Sequence, residues 1–179
     1  MKRYIALLRG INVGGKNKII MSKLKMEIEK LGFSNVATYL NSGNIIFSSP
    51  IDDENKCSIL INAMIKEKFD LKISVHTILQ ANLKEALNNA PEWWGSDNKD
   101  IYDNLIFMLP SLTFEKLYDE IGNPNQKYEK IHHCNNVIFW SFIRKDYQKT
   151  KWWSKTASTK SKELITIRTA NTVRKIVTM

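Results

Sequence analysis

Val36-Ala-Thr-Tyr-Leu-Asn-Ser-Gly-Asn-Ile-Ile-Phe-Ser48 reads as two strands, 36–40 and 45–48, joined around Asn41-Ser42-Gly43-Asn44. Asn, Ser and Gly accept tight reversals for backbone reasons, so this is a hairpin signal with a mechanism. A helical repeat precedes it: Met21, Leu24, Ile28 and Leu31 recur on one face, with Ser22 placed as N-cap and Gly32 as the stop. Before that comes a strand over 3–8, with Tyr4, Ala6 and Leu8 on one face and Ile5 and Leu7 on the other. After the hairpin, Pro50 introduces a helix with Asp52, Asp53 and Glu54 in its first turn and Lys66 and Lys68 near its end, matching the helix dipole. Ile73, Val75 and Thr77 then alternate with Ser74 and His76 in a closing strand.

The order β-α-β-β-α-β is the ferredoxin-like, split βαβ pattern of an α+β plait. It recurs. Residues 81–90 read as a connecting helix and 91–100 as a loop containing Trp93, Trp94 and Gly95. A strand over 102–109, a helix over 113–121 and a hairpin from 127–132 and 137–143 follow. Residues 146–160 read as a helix, 165–168 as the last strand, and Asn171 or Thr169 as the cap of a C-terminal helix carrying Val173, Ile176 and Val177. Two tandem ferredoxin-like subdomains are therefore expected, 1–80 and 81–179. Within the first, strands one and three are expected side by side and parallel. That would put Asn44 at the opposite end of the sheet from the segment after strand one.

That segment is Arg9-Gly-Ile-Asn-Val-Gly-Gly-Lys-Asn17. Three glycines, two asparagines and a lysine require left-handed backbone or close approach, and loops of this composition cradle anions through exposed N–H groups. Gly10, Gly15 and Lys16 nearly match a Walker A spacing, but Asn17 stands where the Mg²⁺-holding hydroxyl belongs, and the hairpin topology is wrong for a parallel nucleotide-binding sheet. The expected ligand contacts are Arg9, Asn12, Gly14, Gly15, Lys16 and Asn17, with Arg168 and Asn171 at a second, strand-to-helix corner.

Other side chains point elsewhere. His132, His133 and Cys134 follow one another along a strand, so their side chains alternate faces and no metal site is expected. His76 is expected in solvent and Cys57 as an inert core thiol; nothing pairs a nucleophile with a base. Trp93-Trp94 and Trp152-Trp153 are each expected to bury one ring, although Trp152 and Trp153 among lysines also suit base stacking.

Apolar residues make up 43% of the 179, enough for a core, and two cysteines make no disulfide framework. Neither a secretory signal nor an apolar run of roughly 20 residues is present, so a cytoplasmic protein without membrane partners is expected. Ten basic and two acidic side chains lie in 144–179, which places +8 of the net +9 there; nothing before Glu27 is acidic. Such bias favours polyanions or acidic ligands, or serves as a solvated face.

Tyr4 to Lys18, Leu31-Gly-Phe33, Thr38-Tyr39, Asn41 to Phe47 and Arg168 to Lys175 closely resemble, in order, the motifs of the bacterial domain-of-unknown-function-1697 family. The resemblance implies two ferredoxin-like halves and brings no substrate, cofactor or catalytic residue with it. Arg168-Thr-Ala-Asn-Thr-Val173 departs from the family's usual Arg-Asn-Trp-Asn-Thr-Val.

Together these readings favour a cytosolic protein that binds an anionic small molecule or nucleic acid through the glycine-rich basic loop, with no cofactor. Two alternatives stand beside it. One is a small-molecule transferase or hydrolase with its site between the halves, using Asp97, Asp100 or Asp103. The other is a structural or partner-binding module built on a helix-free sheet face. The oligomeric state is not fixed by the sequence.

Overall fold

The opening apolar run forms β1 (Lys2–Leu8), followed by α1 (Met21–Lys30), β2 (Ser34–Tyr39), β3 (Asn44–Ser49), α2 (Glu54–Phe69) and β4 (Val75–Leu79). These elements belong to a computed structural model that describes residues 1–179. The sheet order is β2-β3-β1-β4. Every neighbouring pair is antiparallel, with Leu7 opposite both Asn44 and His76.

The expected parallel pairing of strands one and three is therefore corrected. A helical crossover makes β1 and β2 run the same way, but the short hairpin then reverses the chain and inserts β3 between them. The end of β1 and the start of β3 consequently meet at one edge.

The core of this unit gathers Tyr4, Ala6 and Leu8 from β1, Ile45 and Phe47 from β3, and the helix residues Leu24, Ile28, Cys57, Ile61 and Ile65. Each fully buried aliphatic side chain contributes about 1.5–3 kcal/mol. Ile5 and Leu7, on the other face of β1, are buried as well, which is why this strand reads as a continuous apolar run. Asp53 caps α2 by accepting from the Lys56 amide at 2.9 Å. Ser22 does not cap α1; that helix begins after Ile20 without a side-chain cap.

α3 (Gln80–Asn88) leads to β5 (Ile101–Met108), α4 (Phe114–Ile121), β6 (Glu129–Cys134), β7 (Val137–Ile143), α5 (Lys151–Thr156), β8 (Ile165–Thr169) and α6 (Ala170–Ile176). Their sheet runs β6-β7-β5-β8, again antiparallel throughout, so the α+β chain has two similar halves. Trp140, Phe142 and Trp152 dominate the second core, with Ile106, Leu117 and Ile138. The helix expected over 146–160 is broken: a 3₁₀ turn, Arg144–Lys149, ends at an extended Thr150 before α5 starts. Of the two cap candidates, Thr169 caps α6, accepting from the Thr172 amide at 3.3 Å.

The two compact units are Met1–Glu85 with Lys175–Met179, and Ala86–Arg174. The last five residues join the first unit, where Arg3 Nη2 donates to the Met179 carbonyl at 3.1 Å. No helix is long and apolar enough to cross a membrane.

Candidate functional site

The antiparallel register puts three connections at one end of the first sheet. The Arg9 amide donates to the Ser74 carbonyl at 3.0 Å, just before β4, and the Leu8 amide to the Gly43 carbonyl at 2.8 Å. The glycine loop and the Asn41–Asn44 turn, expected apart, are thus adjoining parts of one feature.

Within the loop, Val13 and Lys16 pair as an antiparallel bridge, with Gly14 and Gly15 at φ 57° and 76° between them. Positive φ at both central positions is the type I′ turn that suits the strand twist, and it explains the paired glycines. Ile11 and Ile19 anchor the two limbs of this miniature hairpin in the core. Its tip is exposed from Val13 to Lys16. A Cβ on Gly14 or Gly15 would meet nothing within 4 Å, so the space beside them is open.

Asn12 and Asn17 hold the loop's shape. Asn12 Nδ2 donates to the carbonyls of Ile19 (3.0 Å) and Asn41 (2.9 Å), and its Oδ1 accepts from the Ile19 amide at 2.8 Å. Asn17 Nδ2 donates to the Gly10 carbonyl at 2.9 Å. The directional hydrogen bonds expected toward a ligand are spent inside the protein, which makes Asn12 a strut between loop and turn. Lys16 and Lys18 are exposed and neither ammonium has an acidic partner. Arg9 is half-buried at the base.

The turn adds a residue that the sequence reading passed over. Leu40 has φ 56° and is 56% exposed, a left-handed conformation rare for a branched, bulky side chain. With Val13 and Ile20 also exposed, apolar side chains accompany the lysines around the loop.

Arg168 and Asn171 belong to the second unit. Arg168 is buried, its Nη1 donates to Thr166 Oγ1 and the Ile167 carbonyl at 2.9 Å, and burial pushes its guanidinium down to about 10. It sits in the sheet interior rather than at an open corner. Asn171, exposed on α6, lines a cavity of about 330 Å³ with Asp97, Asp103 and Arg144.

Trp94 and Trp152 are buried while Trp153 is 44% exposed, so one ring of each pair does pack inward. Cys57 is buried, and burial pushes its thiol up. His76 is a correction: it is buried rather than solvated, and burial pushes its imidazole down to about 4.

A model of a family described as a protein of unknown function, DUF1697, matches residues 1–139. The chain belongs to this family. The DUF1697 match takes in the whole loop-and-turn feature and ends within β7, before Arg168 and Asn171. Conserved bacterial protein SP0830 from Streptococcus pneumoniae is 31% identical, with a TM-score of 0.86 over 99% of this chain and 97% of that one. The first two RRM domains of yeast poly(U) binding protein (Pub1) align at 13% identity over 94% of this chain and 99% of that one. The TM-score there is 0.27, too low to speak to fold. Among curated proteins nothing matches.

Proposed function

We propose that this DUF1697 protein is a binding module for phosphate-bearing polyanions, engaged through the hairpin of residues 9–18. Each half, with its β2-β3-β1-β4 type of strand order, is read as a ferredoxin-like plait whose loops serve as the contact surface. The observation that carries the proposal is the hairpin tip: open backbone at Gly14 and Gly15, flanked by two exposed lysines without acidic partners. Asn12 and Asn17 fix that tip in advance, so little ordering cost remains for binding.

The tip projects into open space, which suits an extended phosphate backbone better than a small metabolite that must be enclosed. In the second unit, Trp153 is partly exposed and packs edge-on with Phe142 and Tyr147 in a lysine-rich segment, an aromatic surface that suits a single-stranded nucleic acid.

Fluorescence anisotropy with labelled single-stranded oligonucleotides over a salt series tests this. Log K is expected to fall linearly with log salt, and Lys16→Ala and Lys18→Ala to flatten the slope by about 0.7 for each lysine removed. An affinity indifferent to salt and to both substitutions would refute the proposal.

A further inference from the structure

The cavity of about 330 Å³ in the second unit lies at the lower end of the size range of small-molecule sites, roughly 300–1,000 Å³. Of the four charged residues on its walls, Asp97 and Lys99 belong to the exposed loop before β5, while Asp103 and Arg144 are held in place. Asp103, on β5, is only 8% exposed. Ser141, opposite it on β7, donates its hydroxyl to Asp103 Oδ1. Oδ2 has no protein donor, and no lysine or arginine is in ion-pair range of the carboxylate. Oδ2 is open to the cavity, where a ligand can replace water as the source of a donor or a positive charge.

Arg144 follows β7 and is held at two points. Its Nε donates to the Lys99 carbonyl at 3.1 Å, and its guanidinium lies 4.7 Å from the centre of the Tyr102 ring. Both Nη groups are left without protein acceptors, a planar fork already positioned for a carboxylate. Ser141 and Arg144 are three residues apart, so the backbone positions from which the Asp103 and Arg144 side chains reach the cavity are about 10 Å apart along the chain, and both side chains line it. Asn171 supplies an amide to the same cavity.

We propose that this cavity binds a small zwitterion, an amino acid or dipeptide, with its ammonium on Asp103 and its carboxylate on the fork of Arg144. A ligand with one charge would satisfy one wall and leave the other as it is, so selectivity comes from presenting both charges together.

The test is titration of the full chain, followed by amide NMR shifts, with amino acids and dipeptides as probes and ethylamine and acetate as single-charge controls. At least one zwitterion is expected to saturate shifts in 95–103 and around Arg144, binding at least about tenfold tighter than either control. Asp103→Asn and Arg144→Gln are each expected to weaken it about tenfold or more. Arg144 is exposed, so its variant keeps the core intact and remains decisive should Asp103→Asn fail to fold. No saturable shift with any probe, or an affinity unchanged in Arg144→Gln, overturns the proposal.

Discussion

Six non-glycine residues sit in the left-handed region, and five of them are Asn or Asp, whose short polar side chains tolerate it. Leu40 is the sixth, and its side chain points largely into water, so no buried contact compensates the backbone cost. Leu40→Asn is expected to stabilise the protein by about 1 kcal/mol, read as a higher urea midpoint at unchanged m-value. If the same change weakens oligonucleotide binding, the strained leucine is part of the contact surface. Gly43 and Gly14 provide a second comparison, since both have positive φ. A Cβ on Gly43 would lie 2.6 Å from Leu8 Cβ and 2.9 Å from Ile11 Cδ1, whereas one on Gly14 meets nothing. Gly14→Ala is expected to cost about 1 kcal/mol for backbone alone, and Gly43→Ala on the order of 3 kcal/mol or more because the turn must also move off the loop. Equal costs by urea denaturation would mean that loop and turn are not locked together.

Helices and strands were largely legible because their signals are local: the continuous apolar run of β1, the Asp53 cap, the spacing of Cys57, Ile61 and Ile65 on α2. What escaped is what depends on partners distant in sequence. The direction of β3 beside β1 follows from topology and not from either strand's residues, and with it went the meeting of Asn12 with Asn41. The start of α5 is a similar case. No residue next to Lys151 caps it; Glu129 does, from β6. Glu129 is 2% exposed and accepts from the amides of Asn125 (2.9 Å), Lys151 (2.7 Å) and Trp152 (3.2 Å) and from Trp140 Nε1 (3.1 Å). Glu129→Gln keeps the shape but turns an amide donor toward other donors, so a loss of about 2–4 kcal/mol is expected. Altered near-UV circular dichroism from Trp140 and Trp152 would accompany it, and an unchanged denaturation midpoint would show that α5 does not need this acceptor.

At the scale of the whole molecule, burial on both sides of a strand sets how stability answers to pH. Ser74 and His76 looked like the wet side of the closing strand, yet His76 is buried, with its imidazole held down to about 4 from an ordinary 6.5. Between those values the unfolded chain binds a proton that the folded one refuses, so stability rises with pH across the window. The contribution is complete above pH 6.5, fades as pH falls toward 4 and is lost below, amounting to roughly 3 kcal/mol. Glu27, Glu120 and Asp146 respond in a different range. Hydrogen bonds from Lys30, from Thr159 and Ser161, and from Lys149 hold their carboxyls below the usual carboxylate values, so their contributions are lost only in more acidic solution. The decline in urea midpoint from pH 7 to about 5 should therefore belong to His76, and His76→Gln should flatten it while leaving the steeper fall below pH 4 in place. A wild-type midpoint that stays level from pH 7 to 5 would mean that the folded protein admits the proton, and that His76 is reached by water in solution.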